Sequence, residues 1–273
     1  MTIGSLALAR ETQRRFENGK LVYYAATADG EYWDGEWATR LSPKVYRLAE
    51  QGRHRYLQRL YDRYLPKDGL IVEAGCGRAQ ITLGLQRAGY RVEGVDFAPG
   101  TLDRVRAMYP ELTLRVADVT RMDVPDGHYA GYISIGVIEH RREGSGPFLD
   151  EAFRILRPGG IAIFTVPYLN PIRRRMARRG AFDGPAPTLP FYQYAYDREG
   201  LERELAAAGF EVLDAQVYAG YQGVTDEWPW AKRWIKWLRK LPWAGKRFSR
   251  WLDHGPYGHM IAAVARKPVP PGR

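Results

Sequence analysis

The fold is decided by residues 70–79, which read Leu-Ile-Val-Glu-Ala-Gly-Cys-Gly-Arg-Ala. The apolar, β-branched start is typical of a buried strand. Two glycines one residue apart then predict a tight turn, and the apolar residues beyond it have the spacing of a packed helix. Strand, glycine turn and helix in this order form the nucleotide site of an open α/β sheet, because glycine lets a ligand come close to the backbone.

The spacing of this turn narrows the kind of ligand. Gly75 and Gly77 are followed by Ala79, so the third glycine of dinucleotide-binding turns is missing, and no Lys-Ser/Thr pair of a triphosphate loop follows. Glu73 ends the strand, where polar groups of a ligand would lie. In this form the stretch resembles the first motif of the class I, Rossmann-like methyltransferases that use S-adenosylmethionine. It departs from that motif only at Ala79, a small residue that should still pack.

A second strand is predicted over residues 91–95, and it ends in Asp96. A carboxylate at this position can accept hydrogen bonds from both hydroxyls of a ribose, and Phe97 beside it can stack on an adenine. The same acid would suit NAD, so an NAD-dependent oxidoreductase remains an alternative at this point.

Three further motifs extend the resemblance over about residues 70–166. In the family, the position of Asp118 binds the adenine amino group and that of Val119 offers a backbone amide; a helix or turn cap is the less favoured alternative for Asp118. The fourth predicted strand, residues 129–135, ends at Ile135 and runs into Gly-Val-Ile-Glu-His, which is similar to a stretch of many small-molecule methyltransferases. Leu-Arg-Pro-Gly-Gly at residues 156–160 is the last motif.

Glu139 and His140 are the candidate catalytic residues. A histidine titrates near neutral pH, so His140 could take the proton of a hydroxyl or amine as the methyl group moves. The alternative is that both residues shape the cofactor pocket or cap a helix. Cys76, the one cysteine, is predicted to be a small residue that fits the glycine turn beside the cofactor, and Ile135 is expected to border the cofactor from the end of its strand. The chain therefore has no intrachain disulfide, which allows a cytoplasmic setting, and its histidines show no metal-ligand spacing.

The chain around this core divides into several predicted segments. Residues 1–65 are expected to form an N-terminal helical extension with a long helix over residues 44–64, started by Ser42 and weak at Gly52. Residues 66–266 form the methyltransferase domain, with a substrate-loop insertion at 170–196 and a helical insertion at 226–254. Residues 267–273 are expected to be a disordered tail.

The predicted substrate-binding residues are mostly aromatic. The resemblance implies that the N-terminal segment closes over cofactor and substrate, although its aromatic residues would equally serve as anchors to the core. A loop after the fifth strand is also expected to select the substrate. The candidates from both places are Tyr23, Trp33, Tyr168, Arg173, Tyr192 and Tyr194, with Tyr24 and Trp37 beside them.

The net charge of +10 is concentrated in two places. Arg173 belongs to a cluster of five arginines within residues 173–179, which suggests an anionic acceptor. Residues 226–254 carry eight basic and three acidic side chains, together with six of the eight tryptophans. Basic, tryptophan-rich amphipathic helices lie well on an anionic membrane surface. The alternatives are packing on the protein's own core and, less favoured, RNA binding.

These patterns together predict an α/β fold with a Rossmann-like methyltransferase sheet of about seven strands, the last antiparallel, and helices on both faces. The predicted enzyme uses S-adenosylmethionine to methylate an oxygen or nitrogen of a small, anionic or lipid-linked acceptor. A soluble natural product, a sugar or RNA are alternative acceptors, and a vestigial membrane-binding module is an alternative of another class. No apolar run is long enough for a membrane span, so we expect a cytoplasmic protein, peripheral to the inner face of the membrane.

Overall fold

The computed structural model describes residues 12–25, 30–38, 43–241 and 245–270. Ser42, predicted to cap a helix, and the last three residues of the predicted tail lie outside them. The strands are β1 (Gln13–Glu17), β2 (Lys20–Tyr24), β3 (Leu70–Ala74), β4 (Arg91–Asp96), β5 (Leu114–Val116), β6 (Tyr129–Ile135), β7 (Leu156–Pro167), β8 (Phe191–Ala195), β9 (Glu211–Tyr218) and β10 (Met260–Arg266). The helices are α1 (Gly30–Ala38), α2 (Pro43–Tyr46), α3 (Gln58–Tyr64), α4 (Gln80–Arg87), α5 (Pro99–Met108), α6 (Gly146–Ile155), α7 (Pro171–Arg178), α8 (Arg198–Ala207), α9 (Gly220–Thr225), α10 (Ala231–Leu238) and α11 (Gly245–His254).

A seven-stranded sheet in the order β5-β4-β3-β6-β7-β10-β9 forms the centre of the molecule. Strands β3 to β7 of this sheet pair in parallel, whereas β10 is antiparallel to both β7 and β9. From β3 the next strands along the chain are added first on one side (β4 and β5) and then on the other (β6 and β7). Open sheets bind ligands at the carboxyl ends of the strands where the order changes side in this way. The predicted fold class, including the antiparallel last strand, is confirmed.

The two faces of the sheet carry separate hydrophobic cores. Side chains alternate between faces along a strand, so Val72 belongs to one core while its neighbour Ile71 belongs to the other. Both residues are fully buried. A strand that is apolar on both faces reads as a continuous hydrophobic run, which is why residues 70–74 could be identified from the sequence.

The N-terminal extension is not wholly helical as predicted. Strands β1 and β2 form an antiparallel hairpin, and β8 joins β2 to complete a three-stranded sheet. Leu21, Tyr23 and Tyr192 are buried between this sheet and the segment that follows β7. Strands β3 to β7 lie between β2 and β8 along the chain, so the pairing leaves no local signal in the N-terminal sequence.

The single helix predicted over residues 44–64 is also wrong. The structure has α2, a 3-10 turn (Ala49–Gln51) and then α3. Gly52 ends the turn with a φ of +66°, and a Cβ there would lie 3.2 Å from the backbone nitrogen of Ala88. The close approach of α4 therefore requires glycine at the predicted weak point and breaks the helix there.

The insertion predicted over residues 226–254 contains α10 and α11, and in the structure α9 precedes them, so that the insertion occupies the whole connection between β9 and β10. Asn170 caps α7 by accepting a hydrogen bond from the backbone nitrogen of Arg173, and its Nδ2 donates to the carbonyls of Gly223 and Gly258 at the two ends of the insertion. Among the residues that the structure describes, no helix has the length and apolar character needed to cross a membrane.

Candidate active site

The glycine turn joins the end of β3 to α4 and lies against β4. The backbone nitrogens of Gly75 and Cys76 donate to the carbonyl of Val95, at 2.8 and 2.9 Å. Gly75 has a φ of +77°, and a Cβ on it would lie 2.4 Å from Cγ2 of Val137. Ala79, which stands where the family has its third glycine, adopts the same left-handed region with a φ of +50°. The turn therefore keeps the glycine-type conformation at a non-glycine residue.

Glu73 is a buried carboxyl group that supports this turn. Its Oε2 accepts hydrogen bonds from the backbone nitrogen and the hydroxyl of Thr82 in α4, at 2.8 and 2.5 Å. Burial raises the pKa of Glu73 to about 8, and the nearby Asp96 carboxylate acts in the same direction. The group is therefore largely protonated at neutral pH and ties the strand to the helix while it lines the cavity described below.

Two carboxylates follow the neighbouring strands. Asp96 ends β4, and its oxygens accept from the backbone nitrogens of Gly77 (2.7 Å) and Ala98 (3.0 Å). A carboxylate has about four acceptor positions, so two of the acceptor positions of Asp96 are not used by these bonds. Asp118 follows β5, is exposed, and accepts from the nitrogen and hydroxyl of Thr120 through Oδ1. Both predicted acids thus lie at the carboxyl edge of the sheet.

A cavity of about 330 Å³ lies at this edge, a size within the range of small-molecule sites. All nine residues predicted to bind the cofactor line it: Glu73, Gly75, Cys76, Gly77, Asp96, Phe97, Asp118, Val119 and Ile135. Phe97 keeps 43% of its surface exposed, which leaves a ring face for stacking. The thiol of Cys76, in contrast, is buried in an apolar cluster, and burial raises its pKa well above the ordinary value.

Helix α1 covers the cavity with two indoles. Trp33 and Trp37 are one helical turn apart and stack with ring centroids 5.3 Å apart, and both line the cavity. Asp34 between them accepts from the backbone nitrogen (2.6 Å) and hydroxyl (2.7 Å) of Thr101 and from the nitrogen of Gly100 (3.2 Å). It thereby caps α5 from another segment of the chain, and it holds the aromatic cover onto the domain.

His140 lines the cavity and is neutral at physiological pH. Its Nδ1 lies 2.9 Å from the carbonyl oxygen of Tyr192, and because a carbonyl only accepts, Nδ1 carries the proton and Nε2 is left as the acceptor. Burial lowers the pKa of His140 to about 4, partly offset by this hydrogen bond. The expectation of a pKa near neutrality is therefore wrong, since the imidazole is almost fully enclosed.

Glu139, the other predicted catalytic residue, is not among the residues that line the cavity. It is 1% exposed, and burial raises its pKa to about 8. Its Oε2 has no hydrogen-bond partner among the described residues, and its Oε1 lies 3.9 Å from Nε2 of His140. This distance is too long for a hydrogen bond, so Glu139 acts as a neutral group packed behind His140.

Of the six predicted substrate-binding residues, Trp33 alone is found among the cavity-lining residues. Tyr192 stands behind His140, with ring centroids 4.9 Å apart. Tyr194 donates from its backbone nitrogen to the carbonyl of Glu139 and from its hydroxyl to that of Arg142. The structure therefore places β8 as a support for residues 139–142. Tyr23 is buried beneath the small sheet, and Tyr168 packs against the main core.

Arg173 is buried away from the cavity, in an ion-pair network. Its side chain is 1% exposed and bonds Glu227 through Nε (2.8 Å) and the carbonyl of Tyr168 through Nη1 (2.8 Å). Glu227 also pairs with Arg14 of β1, at 2.8 Å. Arg173 of the arginine cluster therefore stabilises the fold, because its buried side chain pairs with an acid of the distant insertion.

Sequence reasoning did not identify several of the cavity-lining residues, of which Arg78, Arg141 and Phe148 matter most. Arg78 is 7% exposed, and its guanidinium lies 4.9 Å from the centroid of Trp37. Arg141 has a side chain 43% exposed, with Nε 3.5 Å from Glu143. Arg78 lies inside the glycine turn and Arg141 directly follows His140, so their adjacency to predicted site residues was the signal available.

Comparison with known proteins agrees with this site. Residues 72–164 match the sequence family described as a methyltransferase domain. A probable S-adenosylmethionine-dependent methyltransferase of Mycolicibacterium smegmatis is 33% identical over 172 residues, which cover 61% of this chain and 63% of that protein. Another from Mycobacterium tuberculosis is 28% identical over 159 residues, covering 58% of this chain and 54% of that protein. The chain thus spans less than two thirds of these curated relatives.

A solved structure with the same fold is the geranyl diphosphate C-methyltransferase of Streptomyces coelicolor, in complex with S-adenosylhomocysteine. It superposes with a TM-score of 0.54 at 16% identity, over 89% of this chain and 99% of that one. The chain therefore has the fold of the class I, Rossmann-like methyltransferases, and its residues 72–164 match a methyltransferase domain. The comparisons support the predicted family and the predicted cofactor, S-adenosylmethionine.

The cavity suits this cofactor in its chemistry. The cofactor carries ribose hydroxyls, which the unused acceptor positions of Asp96 could bind, and a sulfonium cation, which the indole faces of Trp33 and Trp37 would attract. The glycine turn lets the backbone approach closely, and Phe97 offers a ring face for an adenine. The residues present thus match both the charged and the aromatic parts of the cofactor.

Proposed function

We propose that the protein transfers a methyl group to an oxygen or nitrogen of an anionic, lipid-linked acceptor on the cytoplasmic side of a membrane. The observation that carries methyl transfer is that one cavity brings together the glycine turn, Asp96, Asp118 and the imidazole of His140. When bound, the cofactor supplies an activated methyl group. The chain itself has to orient the acceptor, exclude water and accommodate a proton.

The indoles of α1 perform the first two tasks. Trp33 lies 5.4 Å from the ring of His140, at an interplanar angle of 80°, so the indole packs directly against the imidazole and the two rings together form one wall for the acceptor. Trp37 packs on Gly77, where a Cβ would come within 3.2 Å of its indole. Asp34 ties α1 to α5 and thereby keeps the two indoles over the cavity, so that an acceptor bound there lies beneath apolar rings. Such a cover excludes water from the reacting atoms.

His140 accepts the proton that the acceptor loses. Its hydrogen bond to the carbonyl of Tyr192 fixes the tautomer with Nε2 unprotonated. A pKa of about 4 makes it a weak base, which suits a hydroxyl or amine whose acidity rises as its oxygen or nitrogen gains the methyl group. The imidazole remains neutral across the physiological pH range, so its readiness to accept a proton does not vary there.

The acceptor class is inferred from the remaining cavity wall. Arg78 and Arg141 are cations that line it, while Phe148 adds a further apolar surface to the two indoles. A guanidinium in such a place binds a phosphate or carboxylate, and the aromatic wall suits an apolar portion of the same molecule. Arg141, which is the more exposed of the two, is our choice for the anionic group.

Methyl transfer from S-adenosylmethionine with a tritiated methyl group tests the proposal. The purified protein would be incubated with a total lipid extract, with an aqueous metabolite extract and with RNA, each from the source cells. We expect label in the organic phase. Label confined to the metabolite or RNA fraction would replace the lipid-linked acceptor with one of the alternatives, and absence of both label and S-adenosylhomocysteine binding would refute the enzymatic assignment.

Two arginine variants separate the cavity from the arginine cluster. Arg141→Ala should raise KM for the acceptor roughly 10- to 100-fold, because a hydrogen bond to a charged group is lost. Arg175→Ala, an exposed residue of α7, should leave KM within twofold. If instead Arg175→Ala raised KM and Arg141→Ala did not, the acceptor would be bound by the arginine cluster at residues 173–179, as the sequence predicted.

A further inference from the structure

The insertion between β9 and β10 leaves five tryptophans exposed. Trp228, Trp230, Trp234, Trp237 and Trp251 keep 42%, 68%, 58%, 58% and 57% of their surfaces exposed. A buried indole removes roughly 150–250 Å² from water, so these five expose on the order of 500 Å² together. That is as large as the largest apolar patch of a typical monomer, and such patches mark interaction sites.

These indoles are not the buried side of the helices. The side of α10 and α11 that packs on the protein consists of Ala231, Ile235 and Leu252, which are 4–6% exposed. Trp230, Trp234 and Trp237 follow the spacing i, i+4, i+7, which places them in one stripe along α10. Because the core-facing residues form a separate stripe, the alternative that the tryptophans pack on the protein's own core does not hold for α10.

Exposed cations accompany the tryptophans on both helices and in the turn after α10: Lys232, Arg233, Lys236, Lys240, Lys246, Arg247 and Arg250. In the part of the chain that the structure describes, no ion pair joins any of these seven to a carboxylate. Lysine and arginine reach past an apolar layer with their charged ends. Indoles beside such cations match the boundary of an anionic bilayer, where rings enter the headgroup region and cations meet the lipid phosphates.

Close backbone contacts hold α9 against α11 and the residues after it within the insertion, and an ion-pair network holds the insertion to the rest of the domain. A Cβ on Gly220 of α9 would lie 1.6 Å from the carbonyl oxygen of Leu252, and one on Gly223 would lie 2.0 Å from that of Tyr257. Glu227 joins it to Arg14 and Arg173. The orientation of the surface relative to the domain is therefore defined by the fold.

The insertion that carries α10 and α11 also leaves the sheet at the same edge at which the cavity lies. Because β10 is antiparallel to β7 and β9, the insertion leaves β9 at Tyr218 and returns at Met260, which pairs with Pro167 at the carboxyl end of β7. The cavity lies at the carboxyl ends of β3, β4 and β6 of the same sheet.

We infer that α10 and α11 dock the protein on an anionic lipid bilayer through their exposed tryptophans and cations. Docking itself requires neither cofactor nor acceptor, and so it goes beyond the proposed function. That docking delivers a lipid-linked acceptor to the cavity rests on the proposed function.

Co-sedimentation with vesicles tests the docking. The full chain would be mixed with vesicles of phosphatidylcholine containing 30% phosphatidylglycerol and with vesicles of phosphatidylcholine alone, in roughly 0.1 M salt. We expect binding to the anionic vesicles, a shift of the tryptophan emission to shorter wavelength, and weakening at higher salt because the charges are screened. Absence of binding to the anionic vesicles, or equal binding to both kinds, would overturn the inference.

Three variants test whether the tryptophans and cations of α10 are the residues that contact the bilayer. Lys232→Glu/Arg233→Glu/Lys236→Glu should weaken partitioning at least 100-fold, since each cation near the bilayer contributes about fivefold. The control Arg59→Glu/Arg91→Glu/Arg203→Glu makes the same charge change at exposed positions elsewhere. Its partitioning should fall by less than threefold, a loss that reflects only the long-range effect of net charge. Trp234→Ala/Trp237→Ala should weaken partitioning at least tenfold.

Calorimetric titration with S-adenosylhomocysteine confirms that each variant is folded and keeps this test separate from that of methyl transfer. Equal loss in the control and the α10 variant would refute a localised surface. Binding to RNA without binding to anionic vesicles would show that the partner of α10 and α11 is a nucleic acid and not a bilayer.

Discussion

Replacing Gly75 by alanine tests the geometry of the glycine turn, because two separate penalties meet at this residue. The φ of +77° costs an L-residue about 1–2 kcal/mol. In addition, the new methyl group would lie 2.4 Å from Cγ2 of Val137, and overpacking of this kind costs about 1–3 kcal/mol. Gly75→Ala should therefore lower the free energy of unfolding by about 2–5 kcal/mol.

The two contributions can be separated with matched variants. Gly89 has a φ of +83° and no atom within 4 Å of a built Cβ, so Gly89→Ala should show the backbone penalty alone, about 1–2 kcal/mol. Val137→Ala removes the methyl groups that Gly75→Ala would meet. In the double variant, the cost of Gly75→Ala should fall to that of Gly89→Ala, which gives a coupling energy of about 1–3 kcal/mol.

Urea denaturation of the four variants and the parent protein, followed by tryptophan fluorescence, measures these values. A coupling energy no larger than about 0.5 kcal/mol, the usual scatter for independent sites, would refute the contact between the turn and Val137. A Gly75→Ala variant no less stable than Gly89→Ala would refute the steric part of the argument. Val137 also lines the cavity, so S-adenosylhomocysteine affinity would be measured in parallel to separate changes in binding from changes in stability.

Three further predictions concern the site. Asp96→Asn should weaken S-adenosylhomocysteine binding roughly 10- to 100-fold, the value of a hydrogen bond to a charged group, and unchanged affinity by calorimetry would contradict its role. Asp34→Ala removes the cap on α5, worth about 0.5–2 kcal/mol, so S-adenosylhomocysteine should dissociate roughly 2- to 30-fold faster in stopped-flow measurements; an unchanged rate would show that α1 is held by other contacts. Glu139 has a pKa of about 8 when folded against an ordinary 4.5. The folded protein therefore keeps a proton that the unfolded chain releases, and stability falls as pH rises from about 5 to 8, by up to about 1.4 kcal/mol per unit. Glu139→Gln should remove the part of this slope that Glu139 contributes and leave the part that Glu73, whose pKa is also about 8, contributes. Urea midpoints of variant and parent that change in parallel with pH would therefore contradict the raised pKa of Glu139.

Local patterns predicted the cavity-lining residues that we assign to the cofactor. Glu73, Gly75 and Asp96 each stand at the end of a strand or in the turn after it. Because parallel strands bring their carboxyl ends to one edge of the sheet, residues far apart in sequence meet there without any further information. The family resemblance placed Asp118 and Val119 in the same way, and the cavity includes them all.

The acceptor half could not be predicted in this way, because it depends on segments that meet only in the folded protein. The aromatic residues at 192 and 194 reach His140 and Glu139 from behind, since β8 pairs with the N-terminal hairpin. Arg173 looked like an acceptor-binding cation, yet it is paired with Glu227. Asp34 carried no signal, because its partners at the start of α5 belong to a distant part of the chain.

The sequence by itself determined the strands of the seven-stranded sheet, the glycine turn and the acids that end the strands, because these depend on periodicity and on neighbours a few residues apart. It also determined that α10 and α11 combine tryptophan with basic residues. Only the tertiary structure decided which side of these helices is buried, which cations remain free of partners in the described chain, and how far burial shifts the pKa of His140 and Glu139. Burial and charge pairing depend on contacts between distant segments, and those contacts exist only once the chain has folded.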